Sequence, residues 1–136
     1  MSEVCTLAQL KVGDMIIVKG SAARFFTNEQ FVESKPRPAV VVWADGDIVA
    51  APIYTTNGVK PAEAWKGPPR IGLIADSQNN LREPFSQLGI SNAFLLSAEN
   101  FRGRFGHLAN DDREIARDEF FRIAAIEGDD REPSRS

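Results

Sequence analysis

The sequence predicts a mainly β domain ending in a single helix, arranged as a small half-open barrel, and three observations predict it. Short apolar runs bounded by Gly, Asp and Pro recur along residues 15–97. The dipeptide Asp45-Gly46 lies between two of them, a strong short-range hairpin signal. Sustained helical spacing belongs only to residues 111–127, where Ile115, Ala116, Phe120, Ile123 and Ala124 fall on one face.

Each element follows from its punctuation. Residues 7–14 read as a lead-in ending in the turn Gly13-Asp14, and residues 15–19 as a buried first strand stopped by Gly20. Residues 20–36 lack a clear period and read as a long connection; loops above about 12 residues are uncommon in compact domains unless functional or mobile. The hairpin takes residues 39–43 and 47–53 as its arms. Residues 56–70, rich in Gly, Pro and Lys around Trp65, form a second surface loop. A short strand is expected over 71–75, then mostly turn over 76–90 with one helical turn near 84–88. The last strand falls at 93–97. Asp111 as N-cap with Glu114 three residues on makes a capping-box pattern, Asp118 and Arg122 are an i,i+4 pair, and Gly128 marks the helix end. Five or so short strands with one closing helix suggest an SH3-like shape. The expected organisation is one domain over residues 1–127 and a disordered acidic tail over 128–136.

Bulk properties narrow the function classes. The 136 residues carry a formal charge of −3, and the end of the chain contributes Glu127, Asp129, Asp130 and Glu132 against Arg131 and Arg135. The body is therefore close to neutral, which permits a local basic site but not capture of nucleic acid by bulk charge. Arginine outnumbers lysine, favouring forked, directed contacts over diffuse charge. No apolar run approaches the roughly 18 residues of a membrane helix. The start of the sequence has no signal-peptide pattern, so a cytoplasmic location is expected. Cys5 has no second cysteine to pair with, and no Cys/His cluster has metal-ligand spacing, so neither metal nor cofactor is expected.

The most informative segment is Lys35-Pro36-Arg37-Pro38 at the mouth of the hairpin, whose return strand ends in Tyr54, Thr55 and Thr56. Two prolines stiffen the backbone around Arg37. A permanently charged guanidinium on rigid backbone near hydroxyl donors suits phosphate binding. The bland alternative is a surface arginine in a Pro-rich turn, salt-bridged to a neighbour.

Four short segments, in order, resemble the MazF/PemK toxin endoribonucleases of bacterial toxin–antitoxin pairs. Residues 10–18 (Leu10-Lys11-Val12-Gly13-Asp14 and the aliphatic run after it) resemble the family's opening Gly-Asp strand. Lys35-Pro36-Arg37-Pro38 with Ala39 to Val42 resembles its Arg-Pro-aliphatic strand. Ile48-Val49-Ala50-Ala51-Pro52-Ile53-Tyr54-Thr55 resembles its Ala-Pro-Ile-Thr-Ser strand. Phe105-Gly106-His107-Leu108 and the Asp111 helix resemble its C-terminal part. The family's threonine is Tyr54 here, with Thr55 one place later. A one-residue shift in a strand changes faces, so Thr55 would need a bulge or the strand end to re-aim it.

The resemblance implies a metal-independent endoribonuclease that cuts single-stranded RNA through a 2′,3′-cyclic phosphate, acts as a homodimer and is neutralised by a cognate antitoxin. It places Arg37 at the centre of catalysis, with Thr55 or Tyr54 bonding the scissile phosphate. The sequence provides no obvious general base; Glu29 on the first loop is one candidate, and His107, more simply a structural histidine, a weaker one. RNA-binding candidates are Arg24, Lys35, Thr56, Asn57, Trp65 and Arg70. Phe25 and Phe26 fit a partner or dimer contact better than base stacking. Two other classes stay open: a non-catalytic relative that binds a protein, as gyrase-poisoning toxins of this shape do, and a generic β-barrel interaction module.

Overall fold

The computed structural model describes residues 6–27, 29–55 and 70–135, and the side chains of these apart from Phe31 and residues 126–135. It is mainly β with one C-terminal helix, and its sheet curls without closing, as a half-open barrel does. Seven strands are described: β1 (Asp14–Ala23), β2 (Gln30–Asp45), β3 (Asp47–Thr55), β4 (Ile71–Ile74), β5 (Phe85–Leu88), β6 (Phe94–Leu95) and β7 (Phe101–His107), followed by helix α1 (Asn110–Arg135). All strand pairs are antiparallel, in the order β4-β5-β3-β2-β1-β7, with the short β6 on β3.

The centre is apolar on both faces. In β2, Val40 and Val42 point into a cluster with Met15, Ile53, Leu88, Ala116 and Phe120, under the helix. Ala39 and Val41 point into a second cluster with Ile16, Val18, Ala50 and Phe94. Alternate side chains of a strand face opposite sides, so a strand covered twice reads as an unbroken apolar run. The Asp45-Gly46 signal is realised: Asp45 pairs with Asp47, and Gly46 takes φ +83°, a conformation glycine adopts without a Cβ penalty.

The sheet is drawn round by a loop. After β4, Asp76 Oδ1 accepts from the backbone N–H groups of Gln78 and Asn79. The fully buried Asn79 donates to Ile74 O. The loop then bonds β7, the opposite edge: His107 N–H donates to Gln78 O, and Asn80 Nδ2 to Phe105 O at 2.7 Å. Gly106 is required there, because a Cβ would sit 2.6 Å from Gln78 O.

Several sequence expectations are corrected. Residues 20–36 are not a long loop: β1 continues to Ala23, and β2 starts at Gln30 with Ser21 opposite Val32 and Ala22 opposite Phe31. Much of this arm is exposed (Val32 is 63% accessible), so backbone pairing holds it and leaves little apolar period to read. Residues 85–88 are strand β5, not a helical turn. Its Ser86 and Gln87 are buried between β3 and β4, where polar residues break the expected pattern. Strand β7, rich in Arg and Gly, lies on the sheet edge within residues given no strand.

In the helix, Ile115 is 51% exposed instead of facing the core. Arg122 bonds Glu119 (Nη2 to Oε2, 3.0 Å), not Asp118. The helix begins at Asn110, placing Asp111 inside its first turn, and runs past Gly128. None of the described helices is long and apolar enough to cross a membrane.

Candidate functional site

The site arises where β2 and β3 part. Their ladder starts at Ala39 opposite Pro52, so the β2 residues before Ala39 pair only with β1. Pro36 and Pro38 are tolerated because proline in a strand needs a side with no ladder donor to supply. Continuing the register by two places sets Arg37 opposite Tyr54, at the point of separation. Arg37 fills that gap: its Nη1 donates to Ile53 O at 3.3 Å, in place of a ladder bond. Its Nε is ion-paired with the Glu33 carboxylate, and the two side chains are 31% and 19% exposed.

Below the gap, on the helix-covered side, opens a groove of about 880 Å³. Its lining combines apolar walls (Ile17, Pro38, Ile53, Phe105) with Glu33, Lys35, Arg37, Thr55, Arg82, Glu83 and Ser86. The arrangement sets guanidinium and ammonium groups near hydroxyls and two carboxylates, a combination that can hold a phosphate and accept a proton.

Thr55 reaches the groove without a bulge. The pairs Ile53–Leu88, Tyr54–Gln87 and Thr55–Ser86 are in unbroken register. Thr55 therefore shares a face with Ile53, which lines the same groove. Tyr54 points to the reverse face, where its ring is held on several sides. Arg70 Cζ lies 4.1 Å and Arg37 Cζ 5.2 Å from the ring centroid. Asn92 Nδ2 donates to the Tyr54 hydroxyl at 3.0 Å. The Gly89 backbone presses so close that a Cβ would sit 2.7 Å from the ring. Arg70 also donates to Gln87 Oε1 at 3.2 Å, and its partial burial pulls its pKa below the ordinary arginine value.

The other expected residues are distributed as follows. Lys35 lines the groove and is exposed. Arg24 sits at the β1–β2 tip with Nη1 3.4 Å from Asn92 O, on the Tyr54 side. Glu29 is at the same tip, its backbone N–H donating to Thr27 Oγ1, and it is not part of the groove lining. His107 ends β7 with Nδ1 3.2 Å from Leu108 O, likewise outside the lining. Thr56, Asn57 and Trp65 lie outside the described residues. Glu33, Arg82 and Ser86 were missed. Once residues 30–45 are known to be one strand, the period of two puts Glu33 on the face of Arg37. That signal was hidden by reading 20–36 as a loop.

A second feature lies at the other end of the barrel, where the arm tip meets the helix. Phe25 and Phe26 stack edge to face at 5.0 Å, Phe25 and Phe120 lie 5.3 Å apart, and Trp43 meets Phe121 at 5.5 Å. Phe26 and Phe120 are buried, whereas Phe25 and Phe121 are 37% and 44% exposed. No protein-family model matches this sequence, and neither does any curated protein.

Proposed function

We propose that the protein is a metal-independent endoribonuclease acting on single-stranded RNA, a divergent relative of the MazF/PemK toxins. The observation that carries this reading is Arg37, tethered to Ile53 O beside Glu33 and opening on the same groove as Thr55. RNA cleavage of this kind needs a base for the 2′-hydroxyl, charge stabilisation for the pentacoordinate phosphorane and a proton for the leaving oxygen. Glu33 takes the 2′-hydroxyl proton, and the 2′-oxygen attacks phosphorus. Arg37 stabilises the charge on the non-bridging oxygens, with Thr55 and Ser86 donating hydrogen bonds to them. The 5′-oxygen leaves with a proton from solvent, and the products end in a 2′,3′-cyclic phosphate and a 5′-hydroxyl. A single strand suits the groove, because its bases are free to be splayed out.

The test is incubation of the purified protein with a long single-stranded RNA in excess EDTA, beside Arg37→Ala and Glu33→Gln. Discrete fragments ending in cyclic phosphate, absent with Arg37→Ala, are expected. Glu33→Gln should also lower the rate, because it removes the group that takes the 2′-hydroxyl proton. Intact RNA with the unmodified protein overturns the reading.

The half-exposed rings of Phe25 and Phe121 favour a second reading, a barrel that acts by binding a protein. Toxicity on expression that survives Arg37→Ala supports it over the nuclease. On the nuclease reading, a second copy and a cognate antitoxin are the protein partners, and the cytoplasm is its place of action.

A further inference from the structure

We infer that Arg82 is a second phosphate-binding residue of the groove, holding the RNA backbone at a phosphate next to the one that Arg37 serves. This inference rests on the nuclease reading of the groove and adds to it a backbone subsite on a different element, the loop between β4 and β5.

The first argument is where Arg82 stands. The free half of β2 brings residues 33–38 to the groove, and the loop after β4 brings Asn80, Leu81, Arg82 and Glu83. Arg82 is exposed. Among the described residues it forms no ion pair, with Glu33 or any other carboxylate, whereas Arg37 is paired with Glu33. It therefore stands apart from the Glu33–Arg37 pair. The charged residues of the lining are Lys35, Arg37 and Arg82 against Glu33 and Glu83, a net of +1 in a chain of net charge −3. A locally positive groove on an acidic protein favours an anion. Its volume of about 880 Å³ is near the upper end of the roughly 300–1,000 Å³ that encloses a drug-sized ligand. The groove thus has room for more than the one reacting phosphate.

The second argument is how the loop is held. Ala75 N–H donates to Pro84 O at 3.1 Å and closes the loop at its base. The buried Asn79 accepts through Oδ1 from the N–H groups of Asp76 and Leu81, both at 3.1 Å. Asn80, at φ +54°, turns the chain and ties it to Phe105 O on β7. Leu81 packs against the main apolar cluster. Arg82 and Glu83 are thus the two residues between an apolar anchor and a clamped proline, and Pro84 biases Glu83 toward extended backbone. A cation carried on backbone already fixed loses less freedom on binding than one on a mobile loop. Arg37 is presented in the same way, by the prolines on either side of it. The ligand recognised is the backbone of a single RNA strand, whose successive phosphates the two elements hold.

The experiment titrates non-cleavable 2′-O-methyl octamers of A, of C and of U by fluorescence anisotropy from about 50 to 200 mM salt. Arg82→Gln should weaken all three by about three- to tenfold and reduce the salt slope by about 0.7, the value for one phosphate contact on a single strand. Arg82→Lys, which keeps the charge, should retain the slope. Weakening confined to one base overturns the inference, as does an unchanged slope or failure of the unmodified protein to bind any octamer. Cleavage kinetics on the long RNA place the contact. Arg82→Gln should raise KM and leave kcat within about twofold, because a phosphate away from the reaction is bound alike in ground and transition states. A fall in kcat with KM unchanged puts Arg82 on the reacting phosphate and overturns the subsite. Loss of slope with no cleavage by the unmodified protein removes the nuclease and keeps the subsite, whereas cleavage with slope and KM unchanged in the variant does the reverse.

Discussion

The two halves of strand β2 belong to one continuous element and do opposite work. From Ala39 to Val42 the strand is fully buried and aliphatic, and Ala39 and Val40 are paired with both β1 and β3. From Gln30 to Pro38 it pairs only with β1 and carries Glu33, Lys35, Arg37 and two prolines. The buried half stabilises through area removed from water. The free half has no ladder partner to its β3 side, and Arg37 closes that space with a side-chain bond to Ile53 O. A strand that loses a neighbour gains a groove, and rigidity is supplied by the half that keeps both neighbours. The contrast teaches that stability and the candidate chemistry are separable along a single strand.

Substitutions sharpen this comparison. Phe94→Ala, in the cluster that backs the buried half, should cost about 3–5 kcal/mol, read by urea denaturation with an unchanged m-value. A loss under about 1 kcal/mol would show that the second apolar cluster contributes little. Arg37→Ala should do the converse. Stability should fall by no more than about 1–2 kcal/mol, because a partly exposed ion pair is lost along with one bond to a carbonyl. RNA cleavage should fall by about 10²–10³-fold, the usual effect of removing one stabilising donor. If unfolding accompanies the loss of activity, the arginine is a strut of the sheet and the two halves are not separable.

Asn100→Ala probes the bend that leads β1 into the arm. Asn100 is buried and donates to Ser21 O at 2.7 Å and Lys19 O at 3.3 Å, beside Gly20 at φ +100° and a break in register after Val18. The variant should lose about 1–3 kcal/mol, the cost of unsatisfied buried groups. Hydrogen exchange should rise mainly in residues 19–23 and 30–33, with residues 39–43 still protected.

The smallest expected effect lies on the helix. The bond from Arg122 holds the Glu119 carboxyl below its ordinary range. A folded-state pKa below the unfolded one gives stability that is present above the unfolded value and lost as pH falls through the folded one. Glu119→Gln should therefore lower Tm slightly near pH 7 and leave it unchanged in acid, so that the acid-induced drop becomes slightly smaller. Asp112 has the opposite sign: burial, reinforced by Asp76 and Asp111, raises its pKa, so its effect favours the fold at low pH and is lost as pH rises.

What could be read from the sequence tracks how local each cause is. The Asp45-Gly46 hairpin, the first strand and the terminal helix rest on turn geometry and apolar period, which neighbouring residues carry themselves. The stiff Arg37 segment was legible for the same reason, since two prolines constrain it from within the chain. Strand β5 was not: Ser86 and Gln87 are buried by β3 and β4, which the local pattern does not contain. Glu33 escaped notice because its relation to Arg37 exists only if residues 30–45 are one strand, and pairing with β1 decides that.

The sequence by itself therefore determined a β-rich chain with one closing helix and a rigid arginine facing hydroxyls. Only the tertiary structure decided that β2 and β3 part at Ala39–Pro52, that Thr55 and Tyr54 serve opposite faces, and that Glu33 belongs beside Arg37. The physical reason is that propensity and turn chemistry act over a few residues, whereas a groove is made where strands distant in sequence stop pairing.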